Sequence, residues 1–132
     1  MRLQISINYG IRILQYLHEN NDGLYTATNI AESVGMTYPF FIKIANQLKK
    51  NGLLNSVQGR NGGYQLGKSA HEISLYDVFV CIEGELKINS HIQKSPVEPQ
   101  SEVDIHDLHT FLHSLQKKII REMSSHSIAD LA

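Results

Sequence analysis

The sequence has few of the residues that disulfide chemistry and membrane insertion require. Its 132 residues include no tryptophan and only one cysteine. Because a disulfide needs two cysteines, none can form within the chain. Such cysteine usage fits a reducing compartment, and we expect a cytoplasmic protein. No apolar run approaches the roughly 20 residues that a membrane-spanning helix needs. Polar residues interrupt the apolar positions near the start, so we expect neither a signal peptide nor membrane association.

Acidic residues are missing from one long stretch. Between Glu32 and Glu72 there is no aspartate or glutamate, although the whole chain has a formal net charge of −1. The cations of this stretch are Lys43, Lys49, Lys50, Arg60 and Lys68. A local positive charge in a nearly neutral chain is typical of a surface that attracts a polyanion. The stretch is therefore a candidate for binding nucleic acid, the alternative being a solvated basic face on a structural helix.

Residues 28–66 have the pattern of a helix-turn-helix. A short amphipathic helix is indicated by Ile30, Ala31 and Val34. Gly35 ends that helix, and Thr37 caps a second one that tolerates Pro39 in its first turn. The apolar positions of the second helix recur at spacings of three and four, at Phe41, Ile44, Ala45 and Leu48. We therefore predict that these four side chains are buried. The outward face of this helix is predicted to carry Pro39, Ile42, Lys43, Asn46 and Lys50.

A glycine-rich hairpin is expected after the second helix. Gly52 ends the helix, strands at 53–57 and 64–66 follow, and the loop between them carries Arg60 into solvent. This is the order of a winged helix, in which the second helix enters the major groove of DNA and a wing arginine can enter the minor groove. The predicted partner is double-stranded DNA, and the predicted DNA-binding residues are Thr37, Tyr38, Pro39, Ile42, Lys43, Asn46, Lys50, Gln58, Arg60 and Asn61.

Two further helices flank the winged helix. The first is expected at residues 3–19, with an inner face of Ile7, Ile11, Leu14 and Leu17 that is widened by Tyr9, Ile13 and Tyr16. The other begins after Ser74, and Asp77 at its third position forms a variant of the capping box. Its predicted buried stripe is Leu75, Val78, Phe79 and Ile82, and Gly84 ends it. The predicted fold is mainly α with a small β-hairpin wing.

The chain divides into three parts by pattern. Residues 1–84 are the predicted DNA-binding domain, and residues 85–104 have no periodicity and two prolines, which indicates an exposed connection. A helix of about 20 residues, roughly 30 Å long, is expected within residues 105–132. Its apolar stripe exceeds what a small domain needs, so we expect a homodimer. The predicted dimerisation residues are Ile105, Leu108, Leu112, Leu115, Ile119 and Met123, with Phe111 at the border of the stripe, and Ser127 starts a terminal turn that could dock on the domain.

Other candidate chemistry is sparse. His106, His109 and His113 share one helix flank at a spacing that can hold zinc or nickel, although polar residues bordering the dimer stripe are the favoured interpretation. Cys81 borders the stripe of its helix and is interpreted as a small buried hydrophobe rather than a redox switch, because nothing near it in sequence supplies a resolving thiol or a cation. No nucleophile with a base and no carboxylate pair stands out, so we expect neither an enzyme nor a cofactor.

Seven short motifs together resemble the Rrf2 family of bacterial regulators. They are Tyr9-Gly10, Ile30-Ala31-Glu32, Leu48-Lys49-Lys50-Asn51-Gly52-Leu53, Ser56-Val57-Gln58-Gly59, Gly62-Gly63-Tyr64-Gln65-Leu66, Ile73-Ser74-Leu75-Tyr76-Asp77-Val78 and Ile128-Ala129-Asp130-Leu131. The wing motif is the most specific of them. The resemblance implies a homodimeric winged-helix transcription factor, usually a repressor, whose long penultimate helix forms the dimer interface.

The sequence departs from this family at two places. Members that bind an iron–sulfur cluster have three cysteines between the short fourth helix and the dimer helix, whereas residues 86–107 contain none. We therefore expect no cluster, and a signal would come from a small molecule near residues 86–104, from a metal at the histidines, or from a protein partner. Ile42 stands where an iron–sulfur member has glutamate, so the operator should differ, and Ile42 could contact a thymine methyl group. A protein-interaction module that kept the fold but lost DNA binding is the alternative function.

Overall fold

The structure of the chain, a computed structural model, describes residues 5–88 and 105–131, with the side chains of residues 105 and 106 outside the description. The elements are α1 (Ile5–Glu19), α2 (Ala27–Val34), α3 (Tyr38–Lys50), β1 (Leu54–Val57), β2 (Gly63–Leu66), a 3-10 turn (Ala70–Glu72), α4 (Leu75–Glu83) and α5 (Ile105–Ser124). The predicted fold class is confirmed. Among the described helices, none is long and apolar enough to cross a membrane.

Local capping defines the helix-turn-helix. The Thr26 hydroxyl accepts a hydrogen bond from the backbone N–H of Asn29 at 3.1 Å, so α2 begins slightly before the predicted stretch. Gly35 ends α2 in the left-handed conformation, with φ of 83°. Thr37 then caps α3 by accepting from the N–H of Phe40 at 3.3 Å. Each cap gives a partner to an N–H group that the first helical turn leaves without one.

The main core packs α1, α2 and α3 around one another. The four predicted positions of α3 are all buried, at Phe41, Ile44, Ala45 and Leu48. On α1 the predicted order is wrong at two positions, since Ile13 is fully buried and Ile11 is only half-buried. Because α1 contacts both α2 and α4, the middle of its buried face lies at Gly10 and Ile13. Ile11 lies at the edge of that face and packs against both hydrophobic clusters.

A second cluster joins α1, α4 and α5. Its buried members are Ile7, Phe79, Leu86 and Met123. Leu86 is only 6% exposed, and the N–H of Ile88 donates to the side-chain oxygen of Gln116 at 2.9 Å. The prediction that the connection is exposed is therefore wrong at Leu86, which is buried, and at Ile88, which is half-buried, whereas Lys87 between them is exposed as predicted. Residues 89–104 of the connection lie outside the described residues.

The wing is tied to the body of the domain. Strands β1 and β2 pair in antiparallel register, from Leu54 opposite Leu66 to Val57 opposite Gly63. The backbones of Tyr25 and Tyr64 exchange two hydrogen bonds, of 3.1 and 2.7 Å, which adds the α1–α2 loop to the edge of β2. These contacts hold the root of the wing beside the helix-turn-helix.

The terminal turn docks on the domain as predicted, beside the start of α4. The N–H of Ile128 donates to the carbonyl oxygen of Ile73 at 2.8 Å, and the Ile128 side chain is fully buried in the main core. The capping box of α4 is also confirmed, because Ser74 and Asp77 each accept from the other's backbone N–H. The start of α4 and the end of the chain thus hold each other in place.

Candidate nucleic-acid interface

The outward face of α3 lies in solvent along its whole length. Its exposed residues are Thr37, Tyr38, Pro39, Lys43, Asn46 and Lys50. No acidic residue lies in the first turn of α3, and Lys49 and Lys50 lie in its last turn. The N-terminal end of a helix has a partial positive charge and unpaired N–H groups that favour a phosphate. This face therefore presents polar donors and cations in a line about 20 Å long, since a helix rises about 1.5 Å per residue.

Ile42 does not lie fully on that face. Its side chain is half-buried and packs against the main core, so the predicted exposure of Ile42 is wrong. The residue follows Phe41, whose side chain is fully buried, and it therefore occupies the edge of the apolar stripe rather than the centre of the polar face. The exposed part of Ile42 borders Lys43 and Asn46.

The tip of the wing projects its polar side chains away from the domain. Gln58, Arg60 and Asn61 are all exposed. The tip turns tightly, since the N–H of Gly62 donates to the carbonyl oxygen of Gly59 at 3.1 Å. A Cβ atom on Gly62 would lie 2.0 Å from the carbonyl oxygen of Val57, so only glycine fits there. The close turn thus lifts Arg60 beyond the ends of both strands.

An aromatic contact holds strand β2 of the wing against α3. The rings of Phe41 and Tyr64 meet edge to face, with centroids 5.2 Å apart and planes at 87°. Burial raises the pKa of Tyr64 above its usual value, and the Tyr38 hydroxyl adds to this rise. Phe41 belongs to α3 and its side chain is fully buried, so this contact fixes the position of β2 relative to α3.

One exposed cation near α3 comes from an element that sequence reasoning left out of the site. Arg12 of α1 is exposed, and its guanidinium carbon lies 5.3 Å from the centre of the Tyr9 ring. The sequence signal was present, because no acidic residue precedes Glu19. Placing α1 beside α3 nevertheless requires the tertiary contact between Tyr9 and Phe40.

The residues available to hold a metal cluster do not fit one. Cys81, the only cysteine, is half-buried in α4, and burial raises the pKa of its thiol to about 11, with the Asp77 carboxylate adding to the rise. Iron–sulfur clusters are held mainly by several cysteine thiolates, and this chain has a single cysteine to offer. Within residues 5–88 and 105–131, no group of three His, Cys, Asp or Glu side chains is placed to hold a metal ion.

The predicted histidine group is only partly described. His109 and His113 are exposed on α5, and the side chain of His106 lies outside the described residues, so this metal site stays a hypothesis. A cleft of about 460 Å³ lies elsewhere, between the end of α1 and β2. It is lined by polar residues that include His18, Lys68 and His71. The cleft is therefore not beside residues 86–88, where the connection that we associated with a small molecule begins.

A winged helix with this cationic face matches a known family along nearly its full length. The profile of Rrf2, described as an iron-dependent transcriptional regulator, matches residues 3–132. The chain belongs to the Rrf2 family. Rrf2 proteins are DNA-binding transcriptional regulators.

One curated protein and two solved structures are also similar to this chain. Protein aau3 of Rhizobium meliloti (strain 1021) is 40% identical over 83 residues, which cover 63% of this chain and 54% of that protein. The match thus spans about half the length of this curated relative. IscR of T. potens has a TM-score of 0.73 at 23% identity, over 99% of this chain and 85% of that one. CymR, the global cysteine regulator of B. subtilis, has a TM-score of 0.75 at 22% identity, over 100% and 96%. These two structures share the fold.

Proposed function

We propose that this chain is a homodimeric repressor that binds a palindromic operator through α3 and the wing and carries no iron–sulfur cluster. One observation carries the proposal: the polar face of α3 and the wing tip form an exposed surface that has cations and no carboxylate from its own stretch. Cations facing phosphates release counterions, which supplies much of the affinity for DNA. The cytoplasm, where the chromosome lies, is the place of action.

The apolar face of α5 supports the homodimer. Leu108, Phe111 and Leu115 are 47%, 62% and 37% exposed, and they lie on one side of the helix at spacings of three and four. Large apolar side chains exposed together favour an interface. Two members of the predicted dimer stripe are excluded from it, because Met123 is buried in the second cluster and Ile119 packs against that cluster. The proposed interface is therefore the first half of α5, at Leu108, Phe111, Leu112 and Leu115, with Ile105 next in register.

Two-fold symmetry links this interface to the operator. A dimer related by a two-fold axis presents two identical copies of α3, and two identical helices read two inverted half-sites. Repression needs only that the dimer occupies such a site. A small molecule or a protein would then act as the effector by changing how tightly the dimer binds.

The missing cluster ligands support a signal other than an iron–sulfur cluster. The protein has a single cysteine, which lies in α4, and residues 86–107, where cluster-binding members have three, contain none. Protein purified without oxygen from iron-replete cells should therefore be colourless and free of stoichiometric iron and sulfide. A brown preparation with matching iron content would contradict this part of the proposal.

The DNA-binding surface is tested by substituting its cations. The duplex is first selected from random DNA with purified protein, and Lys43→Ala and Arg60→Ala are then titrated against it at several salt concentrations. Each variant should bind about tenfold more weakly, with a shallower dependence on salt, because each loses one contact to DNA. Lys117→Ala, an exposed lysine of α5, is the matched control and should bind like the wild type.

The same titration separates the two candidate functions. Selection of an inverted repeat with salt-sensitive affinity supports the regulator. Failure of the wild-type protein to enrich or bind any duplex would instead favour a protein-interaction module that kept the fold. Wild-type affinity in both Lys43→Ala and Arg60→Ala would show that another surface faces DNA.

A further inference from the structure

Helix α1 packs beside the N-terminal end of α3, which Thr37 caps. The rings of Tyr9 and Phe40 meet edge to face, with centroids 5.4 Å apart and planes at 85°. Phe40 lies in the first turn of α3, where its backbone N–H donates to the hydroxyl of Thr37. The side of α1 that carries Tyr9 is therefore next to the N-terminal end of α3.

Tyr9 also holds a cation at this place. The guanidinium of Arg12 lies over the Tyr9 ring, with 5.3 Å between the guanidinium carbon and the ring centre. A cation over an aromatic face is attracted by the electrons of the ring, and the contact restricts the long side chain. Arg12 remains exposed, and the ion pair found among the described residues joins His126 to Glu122 instead. The N–H groups of Arg12 therefore face solvent rather than a carboxylate.

The two helical segments that meet at Arg12 carry no carboxylate. No aspartate or glutamate precedes Glu19, and the first turn of α3 has none either. The exposed neighbours one and two turns before Arg12 on α1 are Asn8 and Ile5. An anion that approaches Arg12 and the positive end of α3 thus meets no carboxylate from these two segments.

We infer that Arg12 binds a phosphate of the DNA backbone beside the N-terminal end of α3. The inference rests on the proposed function, because it requires α3 to enter the major groove. The planar guanidinium donates two parallel N–H bonds that match a phosphate, and helix N-termini favour the same group. Phosphate contacts set the orientation of a protein on the duplex without reading its bases. Arg12 therefore positions α3, and Tyr9 serves as the platform that holds the guanidinium in place.

Two substitutions of Arg12 test this role. Arg12→Ala, Arg12→Lys and the matched control Arg121→Ala, an exposed arginine of α5, are titrated against the selected operator and an unrelated duplex. Arg12→Ala should weaken both complexes about equally, by roughly tenfold, and make the salt dependence shallower by about one counterion. Arg12→Lys should keep the salt dependence and lose part of the affinity, because lysine retains the charge without the planar fork. Arg121→Ala should bind like the wild type.

Each alternative result has a definite meaning. Unchanged affinity and salt dependence in Arg12→Ala, with weakened binding in Lys43→Ala, would overturn the inference and leave the proposed function standing. A changed base preference in Arg12→Ala would also overturn it, because Arg12 would then read a base. Absence of any binding by the wild-type protein would remove the proposed function together with the inference. Thermal melting of each variant confirms that the comparison is made between folded proteins.

Discussion

At the scale of single residues, burial decides the chemistry of Cys81. Its pKa of about 11 leaves a much smaller thiolate fraction at pH 8 than an unperturbed thiol near 8.5 would have. The more basic thiolate is intrinsically more nucleophilic, which offsets part of this difference. We therefore expect Cys81 to react with iodoacetamide about tenfold more slowly in the native protein than in urea, and the half-buried position slows it further. The rates are measured at pH 8 by mass spectrometry.

The pH dependence of that reaction provides a second reading. The native rate should still be rising at pH 10, because the thiol has not yet reached its pKa. The rate in urea should level off near pH 9. Equal rates in the native and unfolded states would mean an accessible thiol of ordinary pKa, and Cys81 would again be a candidate for a redox switch.

The residues also show where sequence reasoning succeeds and where it stops. The burial of Phe41 and Ile44 and the caps at Thr37 and Ser74 were predicted correctly, because spacing and capping are local properties of the chain. Ile42 was predicted to be exposed but is half-buried, because the spacing of apolar residues does not determine how far neighbouring elements cover each side of a helix. The DNA-binding and dimerisation residues remain predictions.

At the scale of elements, the root of the wing depends on a close approach of two backbones. A Cβ atom on Gly67 would lie 2.1 Å from the carbonyl oxygen of Gly52, and neither group can move without shifting β1 or β2. The N–H of Gly67 also donates to the carbonyl oxygen of Leu53 at 3.0 Å. The wing thus leaves the domain at an angle that a side chain at residue 67 would change.

Gly67→Ala should weaken both folding and DNA binding. We expect the free energy of unfolding to fall by about 1–3 kcal/mol, as for other overpacked sites, and the affinity for the operator to fall as the wing turns away. Urea unfolding and the operator titration measure the two effects. Gly23→Ala is the matched control, because a Cβ atom there has no neighbour within 4 Å. Wild-type stability in Gly67→Ala would mean that the root can shift freely and that the wing is not held by this contact.

Contacts between distant elements were the hardest to anticipate. Leu86 follows a helix and precedes two prolines, and no periodicity in its neighbourhood indicates burial. Its position against Ile7, Phe79 and Met123 arises only when α1, α4 and α5 meet. The same holds for Arg12, whose place beside α3 follows from a contact between Tyr9 and Phe40. Patterns within an element were therefore predictable, whereas pairings across the fold were not.

At the scale of the whole molecule, the proposed dimer is tested on the two sides of α5. Phe111→Glu places a charge on the exposed apolar face, and Thr110→Glu places the same charge at the same height on the other side. Burying an unpaired carboxylate in an interface is costly, so Phe111→Glu should shift the protein to monomers and Thr110→Glu should not. Sedimentation velocity across a range of concentrations measures the shift.

Operator binding should follow the oligomeric state. Phe111→Glu should retain weak, salt-sensitive binding to any duplex, because each monomer keeps its own α3 and wing. It should lose the preference for an inverted repeat. If Phe111→Glu sediments like the wild type, the exposed face of α5 is not the dimer interface, and the partner of this surface has to be sought elsewhere.

The second cluster has a mechanical consequence for such a dimer. Ile7 lies near the start of α1, within the predicted DNA-binding domain, and Met123 lies near the end of α5, the helix that would join the two subunits, yet both lie in one packed cluster. Close-packed interiors transmit displacement rather than absorb it. In the proposed dimer, the packing of this cluster would therefore set the distance between the two copies of α3. The spacing of the half-sites that the dimer recognises would then depend on the side-chain volumes of Ile7, Phe79, Leu86 and Met123.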